Sequence, residues 1–257
     1  MNRRRLLIGA AGAAVLGGTG VVAYSLLSNF RPLALVYRGP ASCDGCSEAV
    51  AALLESSPSG FRTEFCGPDE EVQITASNLA EAVVYAQPGG GNVKPAWRHM
   101  RAYAQAIRDF VRDGGHYLGF CLGAYLAGDN PGFGLLSRVS VGSYVYSAGA
   151  SVRDTDDTVV QVHWRGKPRH MYFQDGTLFR LQPGAQATVI ATYDTGVPAA
   201  IIAPYGAGRV GLVGPHPEAD RSWYRSAGLT NPDGIRFDLG HDLIESTVQG
   251  PPPSPES

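Results

Sequence analysis

Short apolar runs alternate with stretches of helical period through the first half of the chain. Leu33 to Tyr37, Val83 to Ala86 and His116 to Phe120 are continuous apolar runs of strand length, the pattern of strands buried on both faces. Phe61 to Cys66 alternates apolar and polar residues and reads as another strand, and Val72 to Ile74 as a short one. Between them, Ser47 to Glu55 places Val50, Leu53 and Leu54 on one helical face. Pro95 to Arg112 is the clearest helix. A proline opens it, Trp97, Met100, Tyr103, Ala104, Ile107, Phe110 and Val111 form its apolar stripe, and Gly114-Gly115 closes it.

After the strand at His116 and a helical segment to about Gly128, the texture changes. Leu135 to Arg180 is β-rich, with many glycines and little helical period. Thr158 to Trp164 and His170 to Phe173 read as strands paired across Gly166-Lys167, and Gln174-Asp175-Gly176 reads as a turn rather than a pocket border. Thr188 to Tyr193 and Ala199 to Ala203 make a second hairpin, Arg209 to Val213 a further strand, and Arg236 to Val248 a closing helix. Strands alternating with helices predict an α/β fold: a three-layer flavodoxin-like sandwich with a mainly parallel central sheet and a β-rich insertion.

The two ends stand apart. Arg3-Arg4-Arg5 precedes Leu6 to Leu27, an uncharged stretch rich in Ala, Gly, Leu and Val. That is a basic region followed by an apolar one, and the arginines with glycine-diluted hydrophobicity have the pattern of a twin-arginine export signal. As a helix the stretch would span about 33 Å, enough to cross a bilayer, so released and anchored forms both remain open. The tail from Gly250 to Ser257 carries four prolines and is expected to be disordered. The expected organisation is therefore an export signal or anchor over 1–29, one domain over 30–249, and a tail over 250–257. Membrane contact is expected only through the N-terminal segment.

Composition narrows the partners. The chain has 257 residues, 44% hydrophobic and 17% charged, with a formal net charge of −2. That suits one soluble domain with a substantial core. The absence of a basic stripe with interleaved aromatics argues against nucleic acid. The six histidines are scattered and no Cys/His cluster has zinc-ligand spacing, so neither a metal nor another cofactor is expected. No protein partner can be named from the sequence.

The chemistry centres on Gly119-Phe120-Cys121-Leu122-Gly123. A buried strand stops at a cysteine flanked at two residues by glycines, and a helical segment follows. A nucleophile on such a turn is pushed out above the sheet, while the glycines remove side chains that would clash. The helix start aims free N–H groups at the sulfur, which favours a thiolate. Gly89-Gly90-Gly91 follows another strand, and its backbone N–H groups can face an oxyanion together with that of Leu122. Downstream, Val213 leads into Gly214-Pro215-His216-Pro217-Glu218. Past a parallel strand's carboxyl end, that supplies a base, His216, and a carboxylate to orient it, Glu218.

At these residues the chain resembles the class I glutamine amidotransferase-like superfamily, whose elbow reads Gly-x-Cys-Leu-Gly and whose base and orienter read His-Pro-Glu. Leu122 separates it from the intracellular-protease group of that superfamily, in which histidine commonly follows the cysteine. The nearer resemblance is to the biotin-protein ligase N-terminal domain, carried by Val36 to Pro40, the Pro88 to Gly90 turn, Gly119 to Gly123 and His216 to Glu218. It covers about Pro32 to Ile244. The resemblance implies a cysteine-dependent hydrolase or amidotransferase-like enzyme acting on an amide C–N bond of a small molecule or peptide. Cys121 would be the nucleophile, Gly90, Gly91 and Leu122 the oxyanion donors, and Tyr125 and Asn92 part of the substrate pocket. One departure counts against glutamine as substrate: amidotransferases typically place glutamine where Tyr125 stands. Neither the catalytic domain nor the biotin-binding signature of a biotin ligase is present.

Two other readings stay open. A binding module could keep the same fold and use the pocket to hold a ligand. Alternatively, Cys43-Asp44-Gly45-Cys46 has the spacing of a thiol–disulfide exchanger. With Cys121 reserved for the elbow, Cys43, Cys46 and Cys66 are disulfide candidates. Cys66 ends a strand expected beside the first one, which favours a bridge from Cys66 to one of the pair.

Overall fold

A computed structural model describes residues 31–250. The export signal or anchor and most of the tail lie outside the described residues. In chain order the elements are β1 (Leu33–Tyr37), α1 (Cys46–Ser56), β2 (Arg62–Cys66), α2 (Ala76–Glu81), β3 (Val84–Gln87), α3 (Val93–Met100) and α4 (Ala104–Arg112). Then come β4 (His116–Phe120), α5 (Leu122–Leu126), β5 (Val139–Ser143), β6 (Thr158–Trp164), β7 (Lys167–Phe173) and β8 (Thr177–Leu181). The chain closes with β9 (Thr188–Tyr193), β10 (Pro198–Tyr205), β11 (Gly208–Val213), α6 (Arg221–Ser226) and α7 (Asp238–Gln249).

Nine strands form one sheet in the order β2-β1-β3-β4-β11-β10-β9-β6-β7. The run from β2 to β11 is parallel, and the run from β11 to β7 is antiparallel. The fold is the expected α/β sandwich. Its β-rich stretch extends the central sheet, and β5 and β8 pair as a separate two-stranded ribbon. Strand order reverses between β1 and β3, and it is beyond the carboxyl ends of these parallel strands that such sheets leave a crevice for ligands.

Alternation along the strands divides the core into two layers. Ala34, Val36, Val84, Ala86, Leu118, Phe120 and Val213 pack with Val50, Leu53 and Leu54 of α1 and Leu239, Leu243 and Ile244 of α7. Leu35, Tyr37, Tyr85, Tyr117 and Leu212 face the other way, onto Met100 and α4's Ile107, Phe110 and Val111. The helix expected from Pro95 to Arg112 is present in outline, but a 3-10 turn at Arg101–Tyr103 divides it into α3 and α4.

Two sequence expectations require correction. Val72 to Ile74 is no strand: only a single bridge joins Val72 to Cys66, because the chain turns at once into α2, capped by the Thr75 side chain. The disulfide is also different. Cys43 bonds to Cys46, with Cα atoms 5.3 Å apart, and Cys66 is a buried free thiol. Strand alternation explains this. Cys66 pairs in register with Tyr37, so it faces the layer of Tyr37 and Tyr85, whereas α1, which Cys46 opens, packs on the opposite layer. Burial, followed by the nearby Glu70 charge, pushes the Cys66 thiol well up, out of the reactive range.

Candidate functional site

The elbow forms as the sequence anticipates, and the backbone shows why its residues are needed. Cys121 stands between β4 and α5 with φ 46° and ψ −103°, a region costing a non-glycine residue about 1–3 kcal/mol. The flanking glycines serve close approach. A β-carbon on Gly119 would lie 2.7 Å from the backbone of Gly123, and one on Gly123 would collide with the Gln87 carbonyl. Helix α5 is thus drawn down onto the end of β3. Hydrogen bonds hold the approach: the Tyr117 hydroxyl donates to Gly123 O at 2.7 Å, and Gln87 Nε2 donates to Ala41 O at 2.9 Å.

His216 and Glu218 arrive from the loop after β11, the parallel neighbour of β4. The His216 backbone N–H donates to Tyr172 O at 2.8 Å, which pins the residue just past β11. His216 Nδ1 and Glu218 Oε1 are 2.8 Å apart, and both side chains are buried. Burial is the largest influence on the imidazole and drives it toward neutrality. The Glu218 charge, the nearby Cys121 sulfur and the hydrogen bond to Glu218 outweigh that and raise its pKa to about 10. The ring also packs against Trp223, with centroids 5.2 Å apart.

The glycine turn after β3 completes the surround. Gly89 is wedged against the site: a β-carbon there would stand 2.9 Å from His216 Cε1 and 3.7 Å from Cys121 Cβ. The N–H groups of Gly90, Gly91 and Leu122 donate to no backbone acceptor among the described residues. Gly90 also packs on Leu122 and on the chain at Ser42, just before the disulfide loop, and Cys43 N–H donates to Gly89 O at 3.1 Å. The Cys43–Cys46 bridge therefore buttresses the turn.

Cys121 opens into a cavity of about 390 Å³ lined by Gly90, Gly91, Asn92, Val93, Leu122 and Tyr125, together with Ser143, Thr155, Gln174 and Asp175. Asn92 and Tyr125 thus line the same cavity as Cys121. The Tyr125 hydroxyl donates to Asp175 O at 3.1 Å, and its pKa is raised, first by burial. Gln174 to Gly176, read as a plain turn, borders the cavity as well. The Cys121 thiol donates to Gln174 O at 3.5 Å, and Ser143 Oγ to Asp175 Oδ1 at 2.6 Å. Ser143 and Thr155 carried no motif, since they come from loops and a ribbon that only the fold brings alongside α5. Among the described residues no group of three or more His, Cys, Asp or Glu could hold a metal ion. No described helix is long and apolar enough to cross a membrane.

Comparison with known proteins agrees with this architecture. The family model of the biotin-protein ligase N-terminal domain matches residues 35–143, which include the glycine turn and the elbow and end before His216. No curated protein matches the sequence. Among solved structures, a candidate GMP synthase subunit from Thermoplasma acidophilum is similar with a TM-score of 0.52 at 12% identity. The match covers 85% of this chain and 93% of that one. A candidate ThuA-like protein from Parabacteroides merdae gives 0.51 at 13% identity, covering 87% and 92%. A cytoplasmic protein from Salmonella typhimurium gives 0.51 at 11% identity, covering 83% and 98%. At these identities the likeness is one of fold alone: an α/β sandwich.

Proposed function

We propose that the protein is a cysteine-dependent hydrolase or amidotransferase-like enzyme acting on an amide C–N bond. The observation that carries this reading is Cys121, held in a disfavoured backbone conformation at a cavity and close beside a buried His216–Glu218 pair across Gly89. The Cys121 thiolate attacks the amide carbonyl carbon, and the charge that develops on oxygen is met by the N–H groups of Leu122 and of Gly90 or Gly91. As the C–N bond breaks, protonated His216 gives its proton to the departing amine. A thioester remains on Cys121. Water then attacks it, His216 takes the water's proton, and the carboxylic acid leaves with the thiolate restored. Glu218 keeps the imidazole in one orientation throughout.

The substrate is a small-molecule or peptide amide. Tyr125 narrows the pocket where an amidotransferase would place glutamine, which disfavours glutamine itself. The basic and apolar N-terminus supports export by the twin-arginine route, tested by replacing Arg3 and Arg4 with lysine in a reporter fusion. Unchanged translocation would remove that route.

Profiling with electrophilic amide probes and an amide library tests the catalytic reading. Turnover that disappears in Cys121→Ala and falls at least a hundredfold in His216→Asn is expected. Saturable binding in the cavity with no Cys121-dependent turnover would instead make the domain a binding module.

A further inference from the structure

The Cys121 cavity holds a charged group that the reaction above does not use. Asp175 brings a carboxylate to its wall, and no Lys, Arg or His is among the described residues that line it. We propose that the cavity selects amides whose acyl group carries an ammonium, an aminoacyl amide, with Asp175 as the residue that recognises it. The assignment to an acyl group rests on the catalytic reading; the preference of the cavity for a cation does not.

Asp175 is held in place before any ligand arrives. It is half-buried and sits at φ 43°, the left-handed region that a non-glycine residue rarely takes. Ser143 Oγ donates to its Oδ1 at 2.6 Å, and the Tyr125 hydroxyl donates to its carbonyl at 3.1 Å. Behind it the turn cannot shift, because a β-carbon on Gly176 would lie 2.5 Å from the Gly214 carbonyl oxygen. Ser143 and Tyr125 line the cavity too, so both tie the turn to its wall. Among the described residues Oδ2 accepts no hydrogen bond, and no Lys or Arg pairs with the carboxylate. A recognition group fixed in this way costs a ligand little ordering.

Position decides which half of the substrate meets it. The Cys121 thiol touches the Gln174 carbonyl at 3.5 Å, so Asp175 follows directly on the backbone beside the attacking sulfur. His216, which must reach the departing amine, does not line this cavity. The cavity therefore receives the acyl half, with its ammonium close to the scissile carbonyl. That ammonium donates to Oδ2 in a charge-assisted hydrogen bond. The carboxylate of glutamine would find no cationic side chain in the cavity, a second feature that disfavours that substrate.

The first test reads the cavity's charge through Cys121 and needs no turnover. The aminoethyl, methyl and sulfonatoethyl methanethiosulfonates, a cation, a neutral reagent and an anion, are compared on the full chain. In each case the Cys121 thiolate attacks the sulfenyl sulfur, a mixed disulfide forms and methanesulfinate leaves. Relative to their rates with mercaptoethanol, the cation should react at least about tenfold faster than the anion. Asp175→Asn should cut that ratio at least about fivefold and leave the neutral reagent nearly unchanged. Asparagine accepts a positive φ and keeps an oxygen for Ser143, so the turn is preserved. Cys121→Ser identifies any reaction at another thiol. A ratio that Asp175→Asn leaves unaltered overturns the proposal.

The second test needs no reactive thiol. In Cys121→Ser, L-alaninamide should bind saturably in an NMR titration, at least about tenfold tighter than N-acetyl-L-alaninamide. Asp175→Asn in the same background should remove that difference. Equal binding of the two amides, or binding of neither, overturns the proposal whatever the fate of turnover. Cys121-dependent turnover that ignores the ammonium would leave the catalytic reading standing and sink this one. A charge preference lost in Asp175→Asn, without turnover of any amide, would uphold the cation site and sink the catalytic reading.

Discussion

Gly89 and His216 are in such close contact that a single methyl group at position 89 would meet the imidazole, 2.9 Å from Cε1. The turn after β3 and the loop after β11 are thus fitted to each other as well as to Cys121. The requirement is for space, since glycine is the only residue that leaves room for the ring.

Gly89→Ala is therefore expected to displace His216 from Cys121 without unfolding the sheet. Overpacking of this kind costs about 1–3 kcal/mol, within the range a domain of this size tolerates. The iodoacetamide reaction of Cys121 near neutral pH should slow at least tenfold, while Gly91→Ala, whose β-carbon would meet nothing within 4 Å, should leave it nearly unchanged. Equal rates in wild type and Gly89→Ala would show that His216 does not act on the thiol.

The buried His216–Glu218 pair predicts a stability trend at alkaline pH. The folded-state pKa of His216 is raised to about 10, above the unfolded value near 6.5, through Glu218 and Cys121 acting against burial. Between those values the folded protein binds the extra proton, so stability falls as pH rises. The contribution is whole below pH about 6.5 and gone above pH about 10. Urea unfolding from pH 6 to 10 should show this decline, and Glu218→Gln should flatten it. A decline of equal slope in Glu218→Gln would assign it to other groups.

How far the sequence discloses this molecule depends on the range of the interactions involved. β1, β3, β4 and β11 were legible because strands buried on both faces must be continuously apolar. Cys121 and His216–Glu218 were legible because strand ends and flanking glycines mark them. Ser143, Thr155 and Asp175 were not, because their place depends on how the β5–β8 ribbon packs over α5, a contact with no local signature. The Cys66 expectation identified the right sheet edge and missed the face, since one position of strand alternation decides which layer a thiol enters. Helix α6 is too short for periodicity to reveal, yet it brings Trp223 against His216.

His116 predicts an acid-side transition remote from the chemistry, at the opposite end of β4 from Cys121. It is buried, Nδ1 has no partner, and burial together with the Arg209 charge lowers its pKa to about 4. The unfolded chain takes up this proton near pH 6.5 and the folded one only near pH 4, so stability falls as pH drops through that window. The loss should approach about 3 kcal/mol at the lower end. His116→Leu removes the group and an unpaired buried nitrogen, so it should flatten this acid limb and cost little at pH 7. An unaltered acid limb in His116→Leu would place the transition on other residues.

The Cys43–Cys46 bridge yields the last prediction, because its stability and its position have different consequences. It closes a loop of four residues, for which chain entropy gives only about 2 kcal/mol. Cys43→Ser combined with Cys46→Ser should therefore lower stability by no more than that. Its effect on the site should be larger in proportion, because the loop donates from Cys43 to Gly89 O, and Gly89 is the residue fitted against His216. The double variant, or wild type under mild reduction, should fold and yet show slower Cys121 alkylation, by about three- to tenfold, equivalent to about 0.7–1.4 kcal/mol. Peptide mapping of the oxidised protein should recover Cys43 linked to Cys46, with Cys66 and Cys121 free. A Cys66 linkage, or alkylation rates that ignore the state of the bridge, would separate the disulfide loop from the glycine turn.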